Sequence, residues 1–239
     1  MLSEDAFAAW LVMAGAPSRS SELAHLIGEN VGKIRAQRLR SRVSWSVVVA
    51  VSRALGRNPV QDLRSFPAFA AVDAVQPSAP EALSQVEVED VLLEISKRRR
   101  SQIARMVGGA GYELQSFPFE DSTRYWFDAI DTDGTLRAKL IDATTLDKAS
   151  LSRAISANTL SPEQAVVAAT IADGTPTVGL VVTGLVSPAE AGWSPTLRDT
   201  ALIEASDTEL IDLAGARLRT LRRKIRADQV EANYWKTLG

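Results

Sequence analysis

SSELAHLIGENVGKIRAQRLRSRVSWSVVVAVSRALG, residues 20–56, decides how the front of this chain is read. Three apolar patterns at helical spacing run through it. Leu23, Ala24, Leu26 and Ile27 make one side of a short helix that Ser20 or Ser21 caps and Gly28 ends. After the glycine, Val31 and Ile34 are expected to face inward, which leaves Asn30, Lys33, Arg35, Gln37 and Arg38 outside. The valines of WSVVVAVSRALG suit a strand, but Trp45, Val48, Val49, Ser52 and Leu55 fall on one helical face. Ser44 before them and Gly56 after them fit helix ends.

Working outward, Phe7, Trp10, Leu11 and Ala14 predict an earlier helix stopped by GAPS, and NPVQDLRSF opens a fifth with Pro59 in its first turn. An α-helical, five-helix N-terminal domain over residues 1–66 is the expectation. Residues 67–84, rich in Ala and Pro and weak in periodicity, read as a linker. Residues 85–239 read as a second domain. Its first helix carries Val88, Val91, Leu92 and Ile95 and runs on through Ile103, Met106 and Val107 to GGAG. TRYWFDAI and TLRAKLIDA, joined by DTDG, have the form of a β-hairpin, with Asp131 and Asp133 as turn formers. Helix is expected between Leu146 and Ile171. TPTVGLVVTGLV and TALIEAS read as further strands, and a long helix starts at Asp207 or Thr208. Helices interleaved with strands make the second domain α/β or α+β.

The 239 residues are 46% hydrophobic and 23% charged, the proportions of a folded globular protein. Cysteine is absent and His25 is the sole histidine, so disulfides, thiolate catalysis and Cys- or His-based metal sites drop out. No cofactor or metal is expected, and no catalytic residue is assigned. No stretch approaches a membrane span, and MLSEDAFAAWLVMAG places acids where a secretory signal carries positive charge, so a cytoplasmic protein without membrane attachment is expected. The net charge of −2 hides an asymmetry: residues 1–70 hold nine Lys/Arg against five Asp/Glu, and the remainder eighteen against twenty-four. Whatever attracts polyanions lies mainly at the front.

Reading duplex DNA requires a helix that fits the major groove, a second helix that holds it, and cations aimed at phosphates. Ala24 allows a close helix crossing, Gly28 a tight turn, and Ile34 an anchor. This spacing, with VSWSVVVAVSRALGRNPVQDL after it, resembles the Xre family of helix-turn-helix proteins, which includes the lambdoid phage repressors. The resemblance covers about residues 3–66. It implies Asn30, Lys33, Arg35, Gln37 and Arg38 for the groove, and Ser18, Arg19, Ser20, Arg40 and Arg42 near phosphates. Two positions where that family carries apolar side chains hold Glu29 and Gln37 here. His25 is expected on the exposed side of the second helix.

The expected function is a sequence-specific transcriptional repressor that binds double-stranded DNA, an expectation that extends to phage or prophage immunity and lysogeny. The second domain would add oligomerisation, further DNA contact or sensing of a signal. KRRR at Lys97–Arg100 and RLRTLRRKIR at residues 217–226 are its basic clusters, each a solvated face or a further phosphate contact. The final helix has two open readings, a homodimer surface or packing within its own domain. Against the repressor stands a metal-dependent nuclease, because Asp128 on one expected strand and Lys139 on the next weakly resemble a restriction-endonuclease-like core. Arg137, where such a site needs a carboxylate, argues against cleavage. A self-cleaving repressor would need a serine–lysine motif that is not recognisable here.

Overall fold

The computed structural model describes residues 1–100, 114 and 118–238. Among these there is no β-sheet, and the only β pairing is an isolated antiparallel bridge between Leu2 and Val43. The expected α/β or α+β second domain is therefore corrected to an all-helical one. The helices are α1 (Glu4–Ala14), α2 (Ser20–Ile27), α3 (Val31–Leu39), α4 (Trp45–Ala54), α5 (Pro59–Arg64), a 3-10 turn (Pro67–Phe69), α6 (Ala79–Ser84) and α7 (Val88–Arg98). After them come α8 (Ser122–Ile130), α9 (Leu136–Ala143), α10 (Lys148–Ser156), α11 (Pro162–Ile171), α12 (Pro176–Val182), α13 (Leu197–Glu204) and α14 (Asp207–Leu238). The expected continuation of α7 through Ile103, Met106 and Val107 to GGAG lies outside the described residues.

Each misread strand has a physical reason for being a helix. TRYWFDAI falls within α8, which buries Ser122, Thr123, Trp126, Phe127 and Ile130, a spacing of one, three and four rather than two. TLRAKLIDA is α9 with the preceding Thr135, burying Leu136 and Leu140 four apart. The DTDG link between them is a helix–helix turn. Asp131 accepts a hydrogen bond from the Leu136 amide at 2.9 Å, Asp133 accepts from the Thr135 amide at 2.9 Å, and Gly134 has φ +70°. TPTVGLVV is α12, buried on every side from Thr177 to Val182, so its apolar run carries no period at all. TALIEAS is mostly α13.

The chain divides into two compact units, each built from separated segments. The first comprises Met1–Glu81 and Glu120–Pro195; the second comprises Ala82–Phe119 and Thr196–Gly239. These boundaries differ from those drawn on the sequence at residues 66 and 84.

In the first unit, aromatic rings join the N-terminal helices. Phe7 stacks on Trp10 at 5.9 Å between centroids, Trp10 meets Phe66 at 6.1 Å, and Trp45 lies edge-on to Phe69 at 4.7 Å. Phe69 and Val72 are fully buried, so the stretch read as a linker supplies part of the core. The 3-10 turn also packs on α11. Polar links tie residues 1–81 to residues 120–195 within this unit. The Trp45 indole donates to Glu163 at 2.5 Å, and the Arg53 guanidinium donates twice to Glu190, at 2.6 and 2.8 Å. Arg53, with the amide and hydroxyl of Ser187, holds the Glu190 carboxyl down at about 2. The buried Glu81 accepts from the Thr175 amide at 3.0 Å, the Thr175 hydroxyl at 2.8 Å and Ser78, which fixes the approach to α12.

The second unit packs α14 on α7, with α13 also against α7. Val86, Val91, Leu202, Leu210 and Ala214 form its core, flanked by Leu83, Ile95, Leu114, Ala205 and Leu213. Two arginines from the basic clusters are turned inward, Arg98 half-buried and Arg217 buried. Arg98 donates to the carbonyls of Leu202, Ile203 and Ala205 and pairs with Asp207, closing the C-terminal end of α13. Arg217, 1% exposed, donates to the carbonyls of Leu83 and Ser84 at the end of α6. No helix among the described residues is long and apolar enough to cross a membrane.

Candidate nucleic-acid interface

The turn between α2 and α3 is built by three residues with separate tasks. Gly28 adopts φ 67° and ψ 26°, the left-handed conformation in which a glycine costs least, and its amide and that of Glu29 close the end of α2. Asn30 then caps α3, its side-chain oxygen accepting from the amides of Gly32 at 2.8 Å and Lys33 at 3.3 Å. Leu23 and Ala24 bury the inner side of α2, which packs on both α3 and α4. Ile34 is the one buried residue of α3.

With a single buried anchor, α3 is oriented by polar contacts. The Arg38 guanidinium forks onto Glu4 of α1, with nitrogen–oxygen distances of 2.6 and 2.9 Å. It also donates to the Ser18 carbonyl at 2.6 Å and lies 5.8 Å from the centre of the Phe7 ring. Gln37 accepts from the Ser44 amide at 2.8 Å, clamping the loop that follows α3. A polar clamp thus stands where the resembling family carries an apolar contact, and Ser41, at φ 49°, completes the loop. At the other end, Lys33 pairs with Glu29 at 2.9 Å. The ammonium beside Glu29 holds that carboxyl below its ordinary range.

The structure therefore separates the residues that the sequence grouped together. Asn30, Gln37 and Arg38 have side chains engaged in capping the helix, holding the loop and fastening α3 to α1. Ser18 contributes its carbonyl and Ser20 its hydroxyl, 3.4 Å away, to the same arginine. Lys33, Arg35, Arg40 and Arg42 are exposed, as is Arg19, which reaches Glu22 at 3.5 Å. His25 is exposed on α2, on the side away from Leu23 and Ala24.

Val31, expected to face inward, is 45% exposed, and Leu39 is 78% exposed. On a helical projection centred opposite Ile34, Gly32 and Ala36 form the outward crest. Arg35 and Leu39 lie on one flank of it, and Lys33 and Arg40 on the other. Small residues on the crest let another surface approach the backbone of α3, while the flanks offer long cations and one large apolar side chain. The signal for Leu39 was in the sequence: it lies five residues after Ile34, on the opposite side of the helix.

Asp128 and Lys139, the remnants of the nuclease reading, do not converge. Asp128 faces Arg137 at 3.5 Å, and Lys139 pairs with Asp133 at 3.0 Å. Burial raises the Asp128 carboxyl, with Arg137 and Arg124 opposing. Among the described residues no group of three or more His, Asp or Glu side chains is placed to hold a metal ion. The expected strands are α8 and α9, so the sheet that such a nuclease core requires is missing from this region. Compared with known protein families, curated proteins and solved structures, the chain matches none.

Proposed function

We propose that this protein binds double-stranded DNA in a sequence-dependent way through α3 and acts as a transcriptional repressor. The observation that carries the reading is the exposed side of α3. It presents Arg35, Lys33 and Arg40 around a crest of Gly32 and Ala36, on a helix held by Ile34, Arg38 and Gln37. A short helix held rigidly by its neighbours and flanked by cations is what entry into a major groove requires. Arg35 is the candidate for pairing with a guanine, worth about 1–3 kcal/mol of discrimination. Lys33, Arg40, Arg42 and Arg19 are candidates for phosphates, and Lys33 must leave Glu29 to reach one. Asn30, Gln37, Arg38, Ser18 and Ser20 support the reading helix. Repression follows sterically when such a protein covers a promoter, and phage or prophage immunity is the setting in which the resembling family performs it.

Selection of bound duplexes from a random pool, with wild type and the double variant Lys33→Ala, Arg35→Ala, tests the reading. One enriched motif for the wild type and none for the variant is expected. Its symmetry distinguishes a homodimer, which needs two half-sites about one helical turn apart, from a monomer on an asymmetric site. Affinity is also expected to fall steeply as salt rises. A folded wild type that enriches nothing overturns the reading.

A further inference from the structure

We infer that the exposed side of α14 is a docking surface for an acidic amphipathic helix of a partner protein. α14 turns Leu210 and Ala214 into the core of the second unit, together with Arg217 and Thr220, and packs on α7. Beside that buried line, and continuing it beyond Thr220 at Leu221, runs an open one. Ile211, Leu218, Leu221 and Ile225 are 49, 42, 41 and 47% exposed. Their spacing of seven, three and four keeps them on one stripe, which spans about 21 Å at 1.5 Å per residue. Four large aliphatic side chains in a row on one helix go beyond the scattered apolar residues of an ordinary surface.

The charge around the stripe selects the occupant. Asp212 stands beside Ile211, but from Leu213 to Ala227, which holds the other three stripe residues, there are five Lys/Arg besides the buried Arg217 and no Asp or Glu. Arg219, Arg222 and Arg226 lie exposed along the open flank of the stripe, and among the described residues none of the three is in an ion pair. A second copy of the chain would bring the same cations against these, the like-charge juxtaposition that excludes wrong partners. A nucleic acid would satisfy the arginines but leave Leu218, Leu221 and Ile225 against a polyanionic surface. A helix with aliphatic residues at three- and four-residue spacing and Asp or Glu on its flanks matches both the stripe and the charge. This surface is independent of α3, so its existence does not rest on DNA binding.

The test uses the full chain and two fluorescein-labelled synthetic peptides of about four helical turns. Both carry leucines at three- and four-residue spacing, one flanked by glutamates and the other by lysines. Fluorescence anisotropy is expected to show binding of the glutamate peptide and at least about tenfold weaker binding of the lysine peptide. Leu218→Ser with Leu221→Ser is expected to weaken the glutamate peptide by about tenfold with the helical circular dichroism unchanged. Should that variant fail to fold, Arg222→Glu with Arg226→Glu, at exposed positions, carries the test and is expected to reverse the preference between the peptides. Equal binding of both peptides, no binding of either, or unaltered binding in these variants overturns the proposal. So does a wild-type dimer in sedimentation that Leu218→Ser with Leu221→Ser dissociates, which would assign the stripe to a second copy.

Discussion

At the scale of single residues, two arginines three positions apart on α3 do opposite things. Arg38 is only 18% exposed in its side chain and joins α3 to α1 by a fork onto Glu4, a bond to the Ser18 carbonyl and contact with the face of Phe7. Arg35 is exposed and has no contact of that kind. Truncating Arg38 leaves Glu4 without its cation and the Ser18 carbonyl without its donor, while truncating Arg35 leaves nothing unsatisfied. Arg38→Ala is expected to lower stability by about 1.5–3 kcal/mol, the range for hydrogen bonds to charged groups. Arg38→Lys recovers only part of it, because an ammonium cannot fork. Arg35→Ala is expected to leave the urea midpoint unchanged. Urea melts of the three variants check this, and a melt of Arg38→Ala that overlays wild type would return Arg38 to the outward-facing set. The sequence shows both as basic residues on a short helix. It does not show that Glu4, thirty-four positions earlier, lies within reach of only one of them.

At the scale of elements, the strands read into residues 123–206 were lost to helices for two different reasons. In α8 the period was legible: Trp126 and Ile130, four apart, and Thr123 and Phe127, also four apart, outweigh the aromatic and β-branched composition that suggested a strand. In α12 no reading of period was available, because every residue from Thr177 to Val182 is buried. Only Pro176 at the first turn hinted at a helix start. What makes α12 fit is Gly179. A Cβ there would come within 2.8 Å of the Ala165 carbonyl carbon, so α11 and α12 cross with backbone nearly against backbone. Gly179→Ala is expected to destabilise by about 1–3 kcal/mol through this overpacking, more than alanine's better helix propensity returns. Gly215 in α14 supplies the control. A Cβ there meets only the far end of the Arg219 side chain, at 3.5 Å, and Gly215→Ala is expected to stabilise by about 0.5–1 kcal/mol. Calorimetric melts that shift in the same direction for both would refute the close crossing as the role of Gly179.

At the scale of the whole molecule, the front of the chain reads in sequence as a self-contained five-helix domain because most helices there carry their own caps and apolar side; α2 is the exception, since Arg19 rather than the expected Ser20 or Ser21 stands at its N-cap and no side chain caps it. Much of its framework was legible for that reason: Ser44 caps α4, Pro59 opens α5 and Gly28 closes α2. What sequence could not carry is the partner of the remaining surface, because long-range packing leaves no local period. Trp45 meets Glu163, Arg53 and Asn58 meet the 187–190 segment, Phe69 and Val72 are buried, and the 3-10 turn rests on α11. The first unit is thus completed by residues 120–195, which follow it only after an intervening segment. A fragment comprising residues 1–81 exposes the apolar surface that α11 covers and leaves Arg53 and Asn58 without partners. It is expected to melt broadly, without the single cooperative transition of a two-state domain, and to show narrow amide dispersion in NMR spectra. Adding residues 120–195 as a separate polypeptide is expected to restore dispersion and a sharp melt, since it supplies Glu163, Glu190 and the buried sides of α11 and α12. A fragment 1–81 that melts cooperatively by itself, with well-dispersed amides unchanged by the second piece, would mean that the N-terminal helices need nothing from the rest of the unit.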